Sequence, residues 1–329
     1  MEIRTAYESD FNSILEFNSR MFPQKCIDSK IYFNFWLSKN PDAINHILLL
    51  IDDQNNIVGQ NIMTSMAYYY NSKKFDTFWG FDLIVEETFR KDTWGLDLMI
   101  QNKELYPNIF CTGSGPQALG INLKLGMKLL GEIKKYVGII NPLWFFNAFN
   151  NVTIPSSRFP LIIKVKENTY LLTKYTELPM LNQPFNEHLL EISRDIEFMK
   201  WRYNNNLHDY AVYKETNSNI YFVLRTTIIK HTTVMLLVDY RCDSQKPDQF
   251  ENLFCAAKKI TSKLHLPLLI TGSTLKTFDN VLERHHFKSI GRPRPVLGYI
   301  KCKDRKEDIE NRNFVFVTLA DSDGETNWI

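Results

Sequence analysis

The chain has 329 residues, with 39 basic against 37 acidic side chains and a net charge of +2. That length suits two domains, and 44% hydrophobic residues are ample to fill their cores. The balanced charge supplies no field to steer nucleic acid or hold a membrane surface, so neither is expected as a partner.

The N-terminal "MEIRTAYESD" is charged and has no apolar core of a signal peptide. No apolar run reaches the roughly 18 residues needed to span a bilayer. Cys26, Cys111, Cys242, Cys255 and Cys302 form no CxxC pair and several sit in apolar runs. Reduced thiols in a cytoplasmic protein are the expectation.

A short strand opens the chain, and Ser9 or Asp10 caps a helix whose apolar face carries Phe11, Ile14, Leu15 and Phe17. "KIYFNFWLSKNP" is a second helix that ends before Pro41. Three apolar runs at 46–51, 57–69 and 74–85, parted by "DDQNN" and "NSKK", read as an antiparallel meander. A helix follows Gly95, then the strand "NIFCTG". "PQALGINLKLGM" is a helix with Pro in its first turn and a stop at Gly126, and "KKYVGIIN" returns as a strand. A dinucleotide-binding domain would put its Gly-rich turn after the first strand, so this order argues against one.

Residues 141–185 are aromatic and Asn-rich, broken by Pro142, Pro155 and Pro160, and read as a packed connecting segment. From 186 onward the order repeats. A helix with Ile196, Met199 and Tyr203 on its face leads to three strands. A helix with Phe250, Leu253, Phe254 and Ala257 on one face is followed by strand, helix and strand. "CTGSGPQAL…LGM" at 111–127 and "ITGSTLKTF…HHF" at 270–287 are alike in order and spacing, which marks an internal repeat. The expected domains are therefore 1–140, with a connecting segment at 141–185, and 186–329.

One turn carries chemistry. "VEETFRKDTWGLDLM" (85–99) passes from strand to helix over Arg90 and Gly95. Free N–H groups and the dipole at a helix start favour a bound anion. Gly95 has no Cβ to keep the anion away, and Arg90 adds a fixed positive charge.

This stretch resembles the strand-turn-helix signature of the GNAT (GCN5-related N-acetyltransferase) superfamily, whose core is R/Q-x-x-G-x-G/A. "NLKLGMKLLG" resembles the family's second signature, with Met127 where that pattern has Phe. "LERHHFKSIG" echoes it in the second half, and "FMKWRYNNN" and "FVTLADSDGETNW" resemble bacterial tandem proteins associated with surface-polysaccharide genes. The resemblance implies an α/β (α+β) fold of two GNAT-like domains. Each would have a mixed, mostly antiparallel sheet flanked by helices.

It also implies acetyl-CoA as acyl donor. The pyrophosphate would meet the amides of Arg90, Lys91, Asp92, Thr93, Trp94 and Gly95, and the pantetheine arm would pair with Leu83, Ile84 and Val85. Thr93 stands where the signature has its first Gly. Asn122 stands where many members place a Tyr that protonates the leaving thiolate, and an amide can donate a hydrogen bond there but no proton. The second half has Pro247 and no Gly at its matching turn, so no cofactor is expected in it.

An amine acceptor needs a base near the thioester. Asp82, within "WGFDLIV", is the candidate, and Glu86 and Glu87 are weaker ones. Arg292 and Arg294 are candidate clamps for an acceptor phosphate. Asp321 and Asp323 are candidate contacts for its amine or hydroxyls. The histidines form no HxH or HxxxH pattern, so no metal is expected.

The resulting expectation is an acetyl-CoA-dependent N-acetyltransferase acting on an amino sugar, free or nucleotide-linked, in surface-glycan synthesis. Its alternatives are a FemABX-like aminoacyl transferase fed by aminoacyl-tRNA, or a GNAT-fold binding protein without catalysis.

Overall fold

Apolar runs separated by Asn- and Lys-rich turns become strands from the first residues onward. The protein is seen in a computed structural model that describes residues 1–23, 29–39, 43–146, 152–178, 184–205, 207–301 and 315–321. In chain order the elements are β1 (Glu2–Thr5), α1 (Phe11–Met21), α2 (Ser29–Leu37), β2 (Ile47–Ile51), β3 (Ile57–Tyr70), β4 (Lys73–Val85), α3 (Trp94–Leu105), β5 (Asn108–Thr112), α4 (Pro116–Lys124) and β6 (Lys128–Ile139). They continue with β7 (Ile162–Val165), β8 (Asn168–Thr173), β9 (Leu190–Ile192), α5 (Ile196–Tyr203), β10 (Ala211–Glu215), β11 (Tyr221–Ile229), β12 (Thr232–Arg241), α6 (Pro247–Lys263), β13 (Leu268–Ser273), α7 (Lys276–Arg284), β14 (Lys288–Ile300) and β15 (Val315–Phe316). This is the expected mixed α/β architecture, with strands that pair mostly antiparallel. Among the described residues no helix is long and apolar enough to cross a membrane.

Packing divides the chain differently from the linear scheme of 1–140, 141–185 and 186–329. Unit 1 holds residues 1–68, 74–130 and 295–312, and unit 2 holds 69–73, 131–294 and 313–329. The cause lies in the last strand of each repeat. The end of β6 pairs Lys134–Ile139 with β13, within unit 2. The end of β14 pairs Val296–Ile300 with β5, within unit 1. Each repeat thus gives its final strand to the sheet of the other.

Unit 1 carries the sheet order β1-β2-β3-β4-β5, completed by the end of β14. Asp10 precedes α1 and accepts two hydrogen bonds from Arg4, at 2.7 and 2.9 Å. The helix buries Ile14 and Phe17 as expected, and adds Asn18, whose amide exchanges hydrogen bonds with that of Gln60 at 2.8 and 2.9 Å. α2 buries Tyr32, Phe33, Phe35 and Trp36. The Trp36 ring lies 4.2 Å from that of Phe81 on β4. α3 sets Leu98 into a cluster with Leu48, Leu50, Val58 and Val85, which fixes the helix against the end of β4.

Unit 2 carries the order β6-β13-β12-β11-β10-β8-β7. Here two expectations need correction. The segment 141–185 contains the hairpin β7–β8, in register Ile162↔Leu171 to Val165↔Asn168, and β8 pairs with β10. Its signal was the alternation of "IIKV" and "NTYLLT" around Lys166, which turns at φ +52°. On α5, Ile196 is 46% exposed, and burial falls on Phe198, Met199, Trp201, Arg202 and Tyr203. A helix this rich in aromatics has more than one apolar stripe. α6 buries Phe250, Leu253, Phe254 and Ala257 as expected, the large side chains contributing about 1.5–3 kcal/mol each.

A buried charge cluster fastens the open end of β12. The Asp239 carboxylate accepts from Arg194 at 2.9 and 3.1 Å, from Arg241 at 2.8 Å and from the Tyr203 hydroxyl at 2.6 Å. Burial alone would push its carboxyl up, but Arg194 and Arg241 outweigh that and hold it well below the usual carboxylate range. A depressed carboxylate contributes stability above its unfolded value, about 3.9, and loses it as pH falls further. Glu191, pushed up by burial, acts with the opposite sign.

Asp239→Asn is therefore expected to cost about 3–5 kcal/mol at neutral pH, because it leaves buried arginines short of charge. Denaturant unfolding should show the gap to wild type narrowing as pH drops below about 4. A gap independent of pH would contradict this role. Gly138 on β6 has a second kind of constraint. A Cβ there would fall 2.1 Å from the buried Phe287 ring, so Gly138→Ala should destabilise by about 1–3 kcal/mol.

Candidate functional site

The site is built where two parallel strands part. β4 and β5 pair through Phe78↔Ile109, Trp79↔Phe110 and Gly80↔Cys111. β4 then runs on to Val85, while β5 stops at Thr112. The break coincides with Asp82, whose φ of +50° is left-handed. Asp is among the few side chains that enter this region at modest cost. Phe81 is held by Trp36 and Val85 is buried, so the kink falls between two anchored residues. The Glu86 amide donates to the Val58 carbonyl at 2.8 Å, which keeps the end of β4 on β3. Among the described residues, the other edge of β4 beyond Gly80 has no partner strand.

The turn after β4 ends at the start of α3. Leu96 and Asp97 both donate their amides to the Thr93 carbonyl, at 2.8 and 2.9 Å. Among the described residues the amides of Thr93, Trp94 and Gly95 have no acceptor, as the first turn of a helix requires. A Cβ on Gly95 would meet only Val85, at an ordinary 3.8 Å, so packing does not demand glycine there. Arg90 donates its Nε to the Val85 carbonyl at 2.8 Å and thereby ties the turn to the strand. Lys91 and Asp92 are exposed. The Thr93 hydroxyl donates to Asp97 at 2.9 Å, so it is engaged within the helix rather than offered to an anion.

On the β5 side, Gly113 turns at φ +73° and its amide donates to the Pro295 carbonyl at 3.1 Å. Asn122, buried on α4, donates its amide to the Ser114 hydroxyl at 3.3 Å. The Cys111 sulfur lies 3.9 Å from the same hydroxyl. Sequence reasoning did not single out Ser114 or Cys111, and only their place before a Pro-capped helix marked them. Burial pushes the Cys111 thiol up to about 11, and the Ser114 contact opposes this only in part. Among the described residues Cys111, Cys242 and Cys255 are free thiols, and no group of three or more His, Cys, Asp or Glu side chains is placed to hold a metal.

Unit 2 repeats the geometry and fills it. β12 and β13 pair in parallel through Met235↔Leu269 and Leu236↔Ile270, and β12 then continues to Arg241. Residues 315–321 lie between the strand ends. Thr318 bridges Ser273 of β13 and donates its hydroxyl to Asp239 of β12 at 2.8 Å. The Thr274 amide donates to the Val317 carbonyl at 3.1 Å. Asp321 has no exposed surface. Its carboxylate accepts the Thr318 amide at 2.7 Å and pairs with Arg194 at 2.5 Å, which commits it to the interior of unit 2. Asp323 lies outside the described residues. Arg292 is exposed and Arg294 half-buried on β14, and Lys135 is lowered by burial and by the nearby Arg294.

The sequence matches no protein-family model and no curated protein. Among solved structures it is similar to a GCN5-related N-acetyltransferase from Anabaena variabilis, with a TM-score of 0.61 and 11% identity over 92% of this chain and 73% of that one. It is also similar to a GCN5-related N-acetyltransferase from Kribbella flavida, with a TM-score of 0.58 and 8% identity over 91% and 70%. The N-myristoyltransferase of Saccharomyces cerevisiae, solved with bound myristoyl-CoA, aligns with a TM-score of 0.55 and 11% identity over 88% and 80%. The likeness is one of fold, and the fold is that of the GCN5-related N-acetyltransferases, as the resemblance of residues 85–99 implied.

Cys111 offers a direct check on the β5 side. With its thiol near 11, its thiolate fraction at pH 8 is roughly a hundredfold below that of an ordinary cysteine. Iodoacetamide labelling followed by mass spectrometry should find it correspondingly slow in the native protein. Labelling at the rate of an exposed peptide thiol would contradict the raised thiol of the half-buried Cys111.

Proposed function

We propose that unit 1 is an acyl-CoA-dependent N-acyltransferase with acetyl-CoA as donor. The observation that carries this reading is the pairing of a β4 edge with three amides, at Thr93, Trp94 and Gly95, that among the described residues have neither partner strand nor acceptor. Main-chain groups of Leu83, Ile84 and Val85 suit an arm that hydrogen-bonds like a strand. The amides that follow suit a diphosphate, with Arg90 and Lys91 adding charge. A solved relative in fold carries a bound acyl-CoA, which adds support for the donor class.

Catalysis then follows from the residues around the opening. Asp82 takes a proton from the acceptor ammonium, directly or through water. The neutral amine attacks the thioester carbonyl, whose oxygen is polarised by a backbone N–H of β4. Unit 2 takes no second carrier in this reading, because residues 315–321 occupy its matching cleft and Pro247 starts α6 without an N–H. The acceptor in this reading is an amino sugar.

CoA at a hundred times its dissociation constant should raise the unfolding free energy by about 2.7 kcal/mol, seen as an upward thermal shift. Gly95→Ala separates ligand from fold. It should leave stability equal or higher by about 0.5–1 kcal/mol, since alanine favours a helix. CoA affinity should fall roughly tenfold, because a methyl group then stands between amides and phosphate. No shift with CoA, and a shift with tRNA instead, would replace this reading by an aminoacyl transferase.

A further inference from the structure

Acyl transfer needs something to receive the charge that arrives on sulfur, and Asn122 cannot give a proton. We infer that the Ser114 hydroxyl, oriented by Asn122, is the hydrogen-bond donor to the departing thiol sulfur. The inference rests on unit 1 taking an acyl-CoA, and it adds a residue with a stated atom and role.

Position comes first. Gly80 and Cys111 form the last rung between β4 and β5. Asp82 lies two residues beyond that rung on one side, and Ser114 three residues beyond it on the other. The two therefore stand on facing sides of the same opening, where a thioester entering along β4 would react. Ser114 is also held in place. Gly113 before it is tied to Pro295, and Gly115 after it accepts the Leu119 amide at 2.8 Å as α4 begins.

Hydrogen bonding then gives the hydroxyl a direction. The Asn122 amide donates to the Ser114 oxygen at 3.3 Å, from a side chain that is 4% exposed. An oxygen that already accepts from an amide keeps its own proton for another acceptor. Nearby stands the Cys111 sulfur at 3.9 Å, a weak partner that remains a neutral thiol. A thiolate is a far better acceptor and would displace that contact.

The step balances as follows. The amine nitrogen forms a bond to the carbonyl carbon, the C–S bond breaks, and its electron pair stays on sulfur. Asp82 passes the ammonium proton to solvent before attack, and the second proton, lost from the attacking nitrogen, leaves through Asp82 or its water to solvent. Ser114 lends a hydrogen bond and keeps its proton, since an alcohol is a far weaker acid than a thiol. The CoA thiolate is later protonated by solvent.

Bound CoA itself is the probe. Its thiol can be titrated through the ultraviolet absorbance of the thiolate, with no acceptor present. In the wild-type complex the thiol should titrate about one pH unit lower than in the complex with Ser114→Ala. Ser114→Thr, which retains the hydroxyl, should restore the lower value, and Asn122→Leu should move it part of the way up. Equal values in wild type and Ser114→Ala, with CoA bound to both, would overturn this inference alone. Failure of CoA to bind the wild-type protein would overturn the acyl-CoA reading and this inference with it.

Discussion

The parting of β4 from β5 at Gly80–Cys111 is the constraint on which the candidate site depends. Two parallel strands that stayed paired to their ends would close the edge of β4 and leave nothing for a ligand to pair with. Asp82 prevents this with a left-handed residue, and the anchors on either side, Phe81 on Trp36 and Val85 in the α3 cluster, keep the kink from being absorbed elsewhere. The same buried Val85 marks where the chain leaves the sheet, so the strand edge and the amides of α3 are positioned by one element.

The two repeats use this geometry in opposite ways. In unit 2 the parted ends of β12 and β13 are filled by residues 315–321 and fixed by Asp239, Arg194, Arg241 and Asp321. Such buried ion clusters contribute little net stability against an apolar core, but they are costly to break singly. Their effect here is to hold that segment against the ends of β12 and β13.

Much of the architecture was legible in the sequence. The meander, the helices after Gly95 and at Pro247, and the repeat of β-α-β-α-β order all follow from apolar period and turn residues. The hairpin β7–β8 was not read, because Pro155, Pro160 and the Asn-rich stretch beside it dominate the composition. The exchange of β6 and β14 was hidden for a deeper reason. Strand period says that a segment is a strand, but partner choice is set by tertiary packing, such as Gly138 beneath Phe287. In the site, glycine and arginine announced the turn at 90–95. Ser114 and Cys111 did not announce themselves, since a hydroxyl or thiol acquires a role only from what the fold brings beside it. Asp321 read as a candidate contact for the acceptor, and its burial against Arg194 was not legible because an ion partner distant in sequence is set by the fold.

Amide hydrogen exchange with and without CoA tests the central claim most directly. The account predicts new protection confined to Leu83–Val85 and Lys91–Gly95, the strand edge and the helix start, with residues 239–249 of unit 2 unchanged. Protection that appeared in unit 2, or none at the end of β4, would contradict it.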